Sequence, residues 1–319
     1  MAIITTMVHT HKTNFGLFLL MLVLSTTLHA QRGYNLEFGF GTGASNYLGE
    51  IGGGAKEARP FILDAKLAKT RWNEQIYVRY RFDPLFAAKV AFNYMRIEGN
   101  DNLSSNPGRN ARNLSFRNDI YDLEGTVQWL FYSSNKPMGV YSRSNVFFTA
   151  YLFAGLGAFH HNPTTFYKGD WIALQPLQTE AVRYSKWGYC LPFGAGAYVT
   201  INKRRKSHRI GIEINWRYTN TDYLDDISTV YVNPAELSSS LAADLSNRNL
   251  EVDRQPDGFQ NNYGWHGADK DGNPINLAPR GNKNNKDSYI SVNVSYGIAI
   301  KGGRKAGRGR GRRVRSVTF

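Results

Sequence analysis

A single cysteine, Cys190, stands in the 319-residue chain. This excludes an internal disulfide, and no cysteine stands at the expected signal junction to carry a lipid anchor. Long apolar runs are missing too. The N-terminal run FGLFLLMLVL at 15–24 has about half of the ~20 residues that a helix needs to cross a bilayer, and the mean hydropathy of −0.43 excludes a helical membrane protein. No phosphate-binding glycine loop, His-Glu zinc motif or cysteine cluster occurs. With these exclusions, only a closed β-barrel remains as a way to span a membrane.

What is plentiful is aromatic. The chain has 19 Tyr and 18 Phe beside 31 Gly, which suits an all-β protein, because aromatics favour pleated surfaces and glycine favours turns and close approach. Lys12, the short apolar run and the small residue Ala30 predict a cleaved signal peptide over 1–30. A barrel over 31–300 and a basic tail over 301–319 follow.

The stretch RIGIEINWRY at 209–218 alternates without a slip: Ile210, Ile212, Ile214, Trp216 and Tyr218 on one face, and Arg209, Gly211, Glu213, Asn215 and Arg217 on the other. That is a strand with one apolar and one polar face. The same pattern recurs in EQIYVRYRF from Glu74, FAAKVAFNY from Phe86, DIYDLEGTVQWLF from Asp119 and DSYISVNVSYGIAI from Asp287, with less polar relatives near Tyr34, Val146 and Phe193. About eight strands result, with the sixth expected to begin just after Pro192, because proline cannot donate to a ladder. Short connections (83–84, 133–144, 202–208) alternate with long polar ones (45–73, 99–117, 160–187, 220–287). The expected fold is therefore an eight-stranded antiparallel transmembrane β-barrel, all-β, with short periplasmic turns and long extracellular loops. A soluble sandwich with solvated polar faces is the rival.

An eight-stranded barrel is just wide enough for side chains to fill it. On the polar face Glu37, Asp122, Glu124 and Glu213 are expected to pair with Arg79, Arg81, Lys89 and Arg217 across the interior, leaving no open pore. Asp222, Asp225 and Asp226 offer carboxylates for Ca²⁺ but lack the glycine and ligand rhythm of a calcium loop, so loop solvation and turn formation are expected there. Asn46, Tyr47 and Gly49 are expected to shape a turn. His160 and His161 lie where an outer-membrane lipid hydrolase would put its histidine. No motif singles out a serine partner, so no catalytic residue, metal or cofactor is assigned.

The tail KGGRKAGRGRGRRVRSVTF carries eight Lys or Arg and no acid. Gly-Arg repetition builds no core, and behind a signal peptide its partner is expected to be an acidic protein or anionic lipid headgroups rather than nucleic acid. Together with the turn at 202–208, it places Lys203, Arg204, Arg205, Lys206, Arg304, Lys305, Arg308, Arg310, Arg312, Arg313 and Arg315 on a positive inner rim.

GASNYLGEIGG at 43–53, YVRYRFDPLFAAKVAFNY at 77–94 and RYTNTDYLDDIS at 217–228 resemble the PorG-like outer-membrane β-barrel proteins of the type IX secretion system of Bacteroidota. Glu50 stands where that family more often has Asp. The resemblance implies a non-enzymatic barrel in the outer membrane that attaches a periplasmic ring, built of a lipoprotein and its partner, to the lipid bilayer for secretion and gliding. It implies no small-molecule substrate. The alternative is a small barrel whose long outer loops bind a ligand or surface partner.

Overall fold

The computed structural model describes residues 35–51, 67–104, 106–134, 146–203, 206–251, 280–283 and 285–301. The expected signal peptide and nearly all of the basic tail lie outside these residues. Ten strands follow in order: β1 (Asn35–Leu48), β2 (Arg71–Arg81), β3 (Phe86–Asn100), β4 (Ser115–Ser133), β5 (Val146–His160), β6 (Pro163–Tyr167), β7 (Asp170–Ala173), β8 (Trp187–Asn202), β9 (Lys206–Thr219) and β10 (Ser288–Lys301). Two short helices, α1 (Pro107–Arg112) and α2 (Ser240–Ser246), sit in the long connections.

Eight of the strands form a ring. Each pairs antiparallel with its neighbour in the order β1-β2-β3-β4-β5-β8-β9-β10, and β10 closes onto β1 over their whole lengths. Closure removes every free edge among these eight strands, so a backbone that would be costly in hydrocarbon is satisfied within the ring. The remaining two strands, β6 and β7, form a hairpin that pairs with the outer end of β4. Its tip has Lys168 at φ 48° and Gly169 at φ 102°, the two positive angles of a turn whose twist matches the strands it joins.

Side chains sort as the alternation requires. Ile212 on β9 is 51% exposed on the outside while its neighbour Glu213 is 3% exposed inside. Along the outside, Ile76, Val90, Leu123, Leu156, Ile210 and Val294 make an apolar belt. Aromatic rings border it on both sides: Trp72, Tyr94 and Tyr121 lie in a row, tilted against one another, toward the long loops, and Phe86, Trp129, Phe131 and Tyr132 face outward toward the short turns. A register shift between Trp129 and Tyr132 is the bulge that turns Phe131 and Tyr132, consecutive residues, to the same face. An apolar belt between aromatic girdles is the surface that faces acyl chains, and the soluble sandwich is set aside.

Above the girdle the pattern inverts. On β3 the outward positions change from Phe92 and Tyr94 to Arg96 and Glu98, while the inward ones change from Asn93 to Met95 and Ile97, both 0% exposed. On β4, outward Asp119 and Arg117 likewise oppose inward Ile120 and Phe116. Here the strands have water outside and a hydrophobic core inside. Met95, Ile97, Phe116 and Ile120 pack with Tyr47, Ile51, Leu114, Phe159, Leu224, Ile227, Leu245 and Tyr289, at about 1.5–3 kcal/mol for each large side chain fully buried. The long connections thus build a folded cap on the barrel's mouth.

One expected boundary moves. The sixth barrel strand includes Pro192 rather than starting after it. The β5–β8 ladder is interrupted opposite Leu191 and Pro192, between the Ala154–Phe193 and Gly157–Cys190 pairs, so the missing N–H breaks no ladder bond at that place.

Candidate functional site

The inward residues of the barrel meet across its lumen. Lys89 of β3 and Glu213 of β9 lie on opposite walls, with three strands between them either way round, yet Lys89 Nζ is 2.6 Å from Glu213 Oε1. Tyr151 of β5 donates to the other oxygen of Glu213 at 2.7 Å. Toward the short turns, Glu37 accepts from Arg79 at 3.2 Å, from Tyr77 at 2.8 Å and from Arg209. Toward the cap, Arg217 reaches Asp122 at 2.8 Å and Glu124 at 3.2 Å, and Asn215 donates to both oxygens of Glu124 at 3.1 Å.

Aromatic faces complete the packing of the cations. Arg79 lies over the rings of Tyr77, Tyr151 and Tyr198, and Arg217 lies over Tyr289, a contact that strengthens when water is excluded. Tyr77 fits only because Gly39 has no side chain, and Tyr151 only because Gly196 has none. The lumen therefore holds Glu37, Asp122, Glu124 and Glu213 against Arg79, Lys89, Arg209 and Arg217, with all eight buried. Formal charge cancels there, and the bridges cross the bore at several heights.

One expected partner is elsewhere, and one was missed. Arg81 is at the rim, where its guanidinium donates to the carbonyls of Asp83 and Pro84 in the short turn. Two residues beyond Arg79, it has the right face but too little depth. Arg209 takes its place in the interior. It is on the polar face of the RIGIEINWRY stretch, so its orientation was readable, but its pairing with Glu37 depends on which strands the ring brings near each other.

At the cap, the segment after β9 is buried rather than solvated, contrary to the sequence expectation. Asp225 and Asp226 are 2% and 1% exposed. Asp226 accepts from Thr179 at 2.5 Å and from Tyr184 at 2.6 Å, and burial pushes its acidity to about pKa 6 despite nearby Arg280. Asp222 is pushed to about 7, again mainly by burial. Arg280 donates to Glu180 at 2.9 Å, to the Asp226 carbonyl at 2.7 Å and to the Ser246 carbonyl at 3.1 Å. Arg112 of α1 holds Asp101 at 2.7 Å and donates to the carbonyls of Arg280 and Glu50. Tyr47, rather than only shaping a turn, reaches Asp225 and Asp287 with its hydroxyl. Among the described residues no group of His, Cys, Asp and Glu is arranged to hold a metal ion.

Both ring nitrogens of His161 are engaged, Nδ1 with the Asn118 amide at 3.3 Å and Nε2 with the Ser185 carbonyl at 3.2 Å. The Ser185 contact is through its backbone carbonyl and not its hydroxyl. His160 stacks edge-on against Trp187.

At the other end, Lys203 and Lys206 are exposed on the turn between β8 and β9, closed by the Lys203 amide donating to the Lys206 carbonyl at 2.8 Å. Arg204, Arg205, Arg304, Lys305, Arg308, Arg310, Arg312, Arg313 and Arg315 lie outside the described residues.

A family model described as a domain of unknown function, DUF6089, matches residues 13–239. No curated protein matches the chain. Among solved structures, the chain is similar to Neisserial surface protein A, with 9% identity and a TM-score of 0.35 over 84% of this chain and 97% of that one. It is also similar to Ail, the attachment invasion locus protein of Yersinia pestis, solved with the heparin analogue sucrose octasulfate, with 9% identity and a TM-score of 0.31 over 85% and 99%.

Proposed function

The chain belongs to the DUF6089 family, and we propose that it is a structural, non-enzymatic barrel of the outer membrane that anchors a periplasmic ring complex of a type IX-like secretion and gliding machine. The observation that carries this reading is the Lys89–Glu213 bridge. Ion pairs span the lumen at several heights, so the work of the barrel falls to its two rims. On the short-turn rim, facing the periplasm, exposed Lys203 and Lys206 suit an acidic protein partner. The three segments that resemble the PorG-like barrels support the same role.

A second reading has its own support. The cap is folded, and its outer wall exposes Phe166 and Trp171 side by side, with Arg117 3.6 Å over the Trp171 ring, a patch suited to a ligand or surface partner bound by the outer loops. Cross-linking capture from isolated outer membranes separates the two. Recovery of periplasmic ring subunits, and their loss on truncation after Ile300 or on charge reversal at Lys203 and Lys206, supports the anchor. A protein that reaches the outer membrane and brings down no export component sinks the anchor and turns attention to the cap.

A further inference from the structure

We propose that the cap stores a proton in the cluster Asp225–Tyr47–Asp287, and that losing this proton as pH rises loosens the segment 220–228 from the barrel mouth. The geometry demands the proton. Tyr47 Oη is 2.6 Å from Asp225 Oδ2 and 2.7 Å from Asp287 Oδ1, and it accepts the Glu50 amide at 3.1 Å. A phenol has one proton to donate. It satisfies one of the two carboxyl contacts, and the other short O···O contact needs a proton from the acid itself, received by the remaining lone pair of the phenol.

The position of that proton is also fixed. The far oxygen of each carboxyl already accepts a backbone amide: Asp225 Oδ1 from Ile227 at 3.1 Å, and Asp287 Oδ2 from Leu224 at 3.0 Å. Only the two oxygens that face Tyr47 remain to carry it.

The surroundings favour the neutral acid. From the end of β1 comes Glu50, and from the segment after β9 comes Asp222, itself buried. Glu180 faces in from the connection before β8. The nearby cations are engaged: Arg112 with Asp101, and Arg280 with Glu180 and Asp226; Arg109 lies toward Glu50, and Lys286 toward Asp222. Burial first, then repulsion between the carboxylates, holds Asp225 and Asp287 well above the ordinary carboxylate range.

The sign follows. An opened segment releases the proton to solvent with an ordinary Asp acidity near 3.9, whereas the closed cap keeps it. Closing is thus favoured by acid: the contribution is complete below about pH 3.9 and fades as pH rises through the raised value of the cluster. Between those limits the opening constant grows about tenfold per pH unit. Opening would unseat Leu224 and Ile227 from the cap core and the Asp226 carbonyl from Arg280, so acid stiffens the outer face.

The test uses the full chain in lipid vesicles. Asp225→Asn and Asp287→Asn each mimic the protonated acid, since the amide oxygen keeps its backbone bond and the amide nitrogen donates to Tyr47. Infrared spectroscopy at about neutral pH should show a protonated-carboxyl C=O band that either substitution removes. Bands from Asp222 or Asp226 would survive both. Above pH 7, where Asp222 and Asp226 no longer contribute, amide exchange at Leu224 and Ile227, corrected for intrinsic rates, should accelerate with pH in the wild type, by up to about tenfold per unit while the cluster keeps its proton, and be flat in the variants. A band that neither substitution changes, or an equal exchange slope in wild type and variants, overturns the proposal. If neither variant assembles, the wild-type exchange profile decides, and an opening rate at Leu224 and Ile227 that does not rise with pH above pH 7 overturns it.

Discussion

Lys89 and Glu213 join opposite walls of the barrel through one 2.6 Å contact, with side chains 2% and 4% exposed. A pair buried this deeply is poor evidence of net stabilisation, because desolvation offsets much of the attraction, but it leaves each partner dependent on the other. Lys89→Met or Glu213→Gln alone should cost about 3–5 kcal/mol, while the double replacement Lys89→Met with Glu213→Leu should recover most of that loss. Reversible urea unfolding from lipid vesicles measures all three, and single variants as stable as the wild type would refute the bridge.

Arg209 and Arg81 provide a paired contrast. Both are arginines on the polar face of a strand, but Arg209 is 4% exposed against Glu37 while Arg81 bonds turn carbonyls at the rim. Arg209→Met should cost about 3–5 kcal/mol, and Arg81→Met about 0.5 kcal/mol or less. The same unfolding assay ranks them, and equal effects would place Arg81 in the interior after all.

His161 makes the cap sensitive to acid in the sense opposite to the aspartates. Burial lowers its pKa from 6.5 to about 4, so the folded cap holds the ring neutral where an opened loop would protonate it. Its contribution is complete above pH 6.5 and falls by about 3 kcal/mol as pH drops to 4. The stability difference between the wild-type cap and His161→Leu should shrink by that amount across this window, read from urea-induced loop release at each pH. A difference independent of pH would show that the ring is solvated.

The apolar belt gives a depth-dependent test. Ile212→Arg, at a 51% exposed outward site, should cost about 2–4 kcal/mol of folding into a bilayer, as expected near the midplane. Glu98→Arg, beyond the aromatic girdle, should change membrane insertion little. Comparable insertion losses at both sites would contradict the belt drawn here.

Much of this architecture was readable because period-two alternation has a direct physical cause. Ile210, Ile212 and Ile214 face one way and Glu213, Asn215 and Arg217 the other whatever surrounds the strand, and signals of that kind gave eight strands and the polar lumen. Even the inversion on β3 is written in the residues: the apolar positions move from Phe92 and Tyr94 to Met95 and Ile97. Pro192 misled because its rule concerns a hydrogen-bonded ladder, and the ladder is interrupted opposite it. The cap was not legible. Its ties run from Tyr47 to Asp287 and from Arg112 to Arg280, over separations of 240 and 168 residues, and such contacts leave no local periodicity. A run of aspartates in a loop reads as solvated until the groups that bury it are known.

The inversion between Tyr94 and Arg96 has a mechanical consequence. Sliding the barrel inward by one outward-facing repeat, roughly 5 Å for strands tilted by about 40°, would draw the Arg96–Asp119 pair toward hydrocarbon. Sliding it outward would lift Leu123 and Phe92 toward water. Vertical drift is penalised in both directions, so the protein sets its own height in the bilayer, and whatever docks on either rim meets a platform at a fixed level.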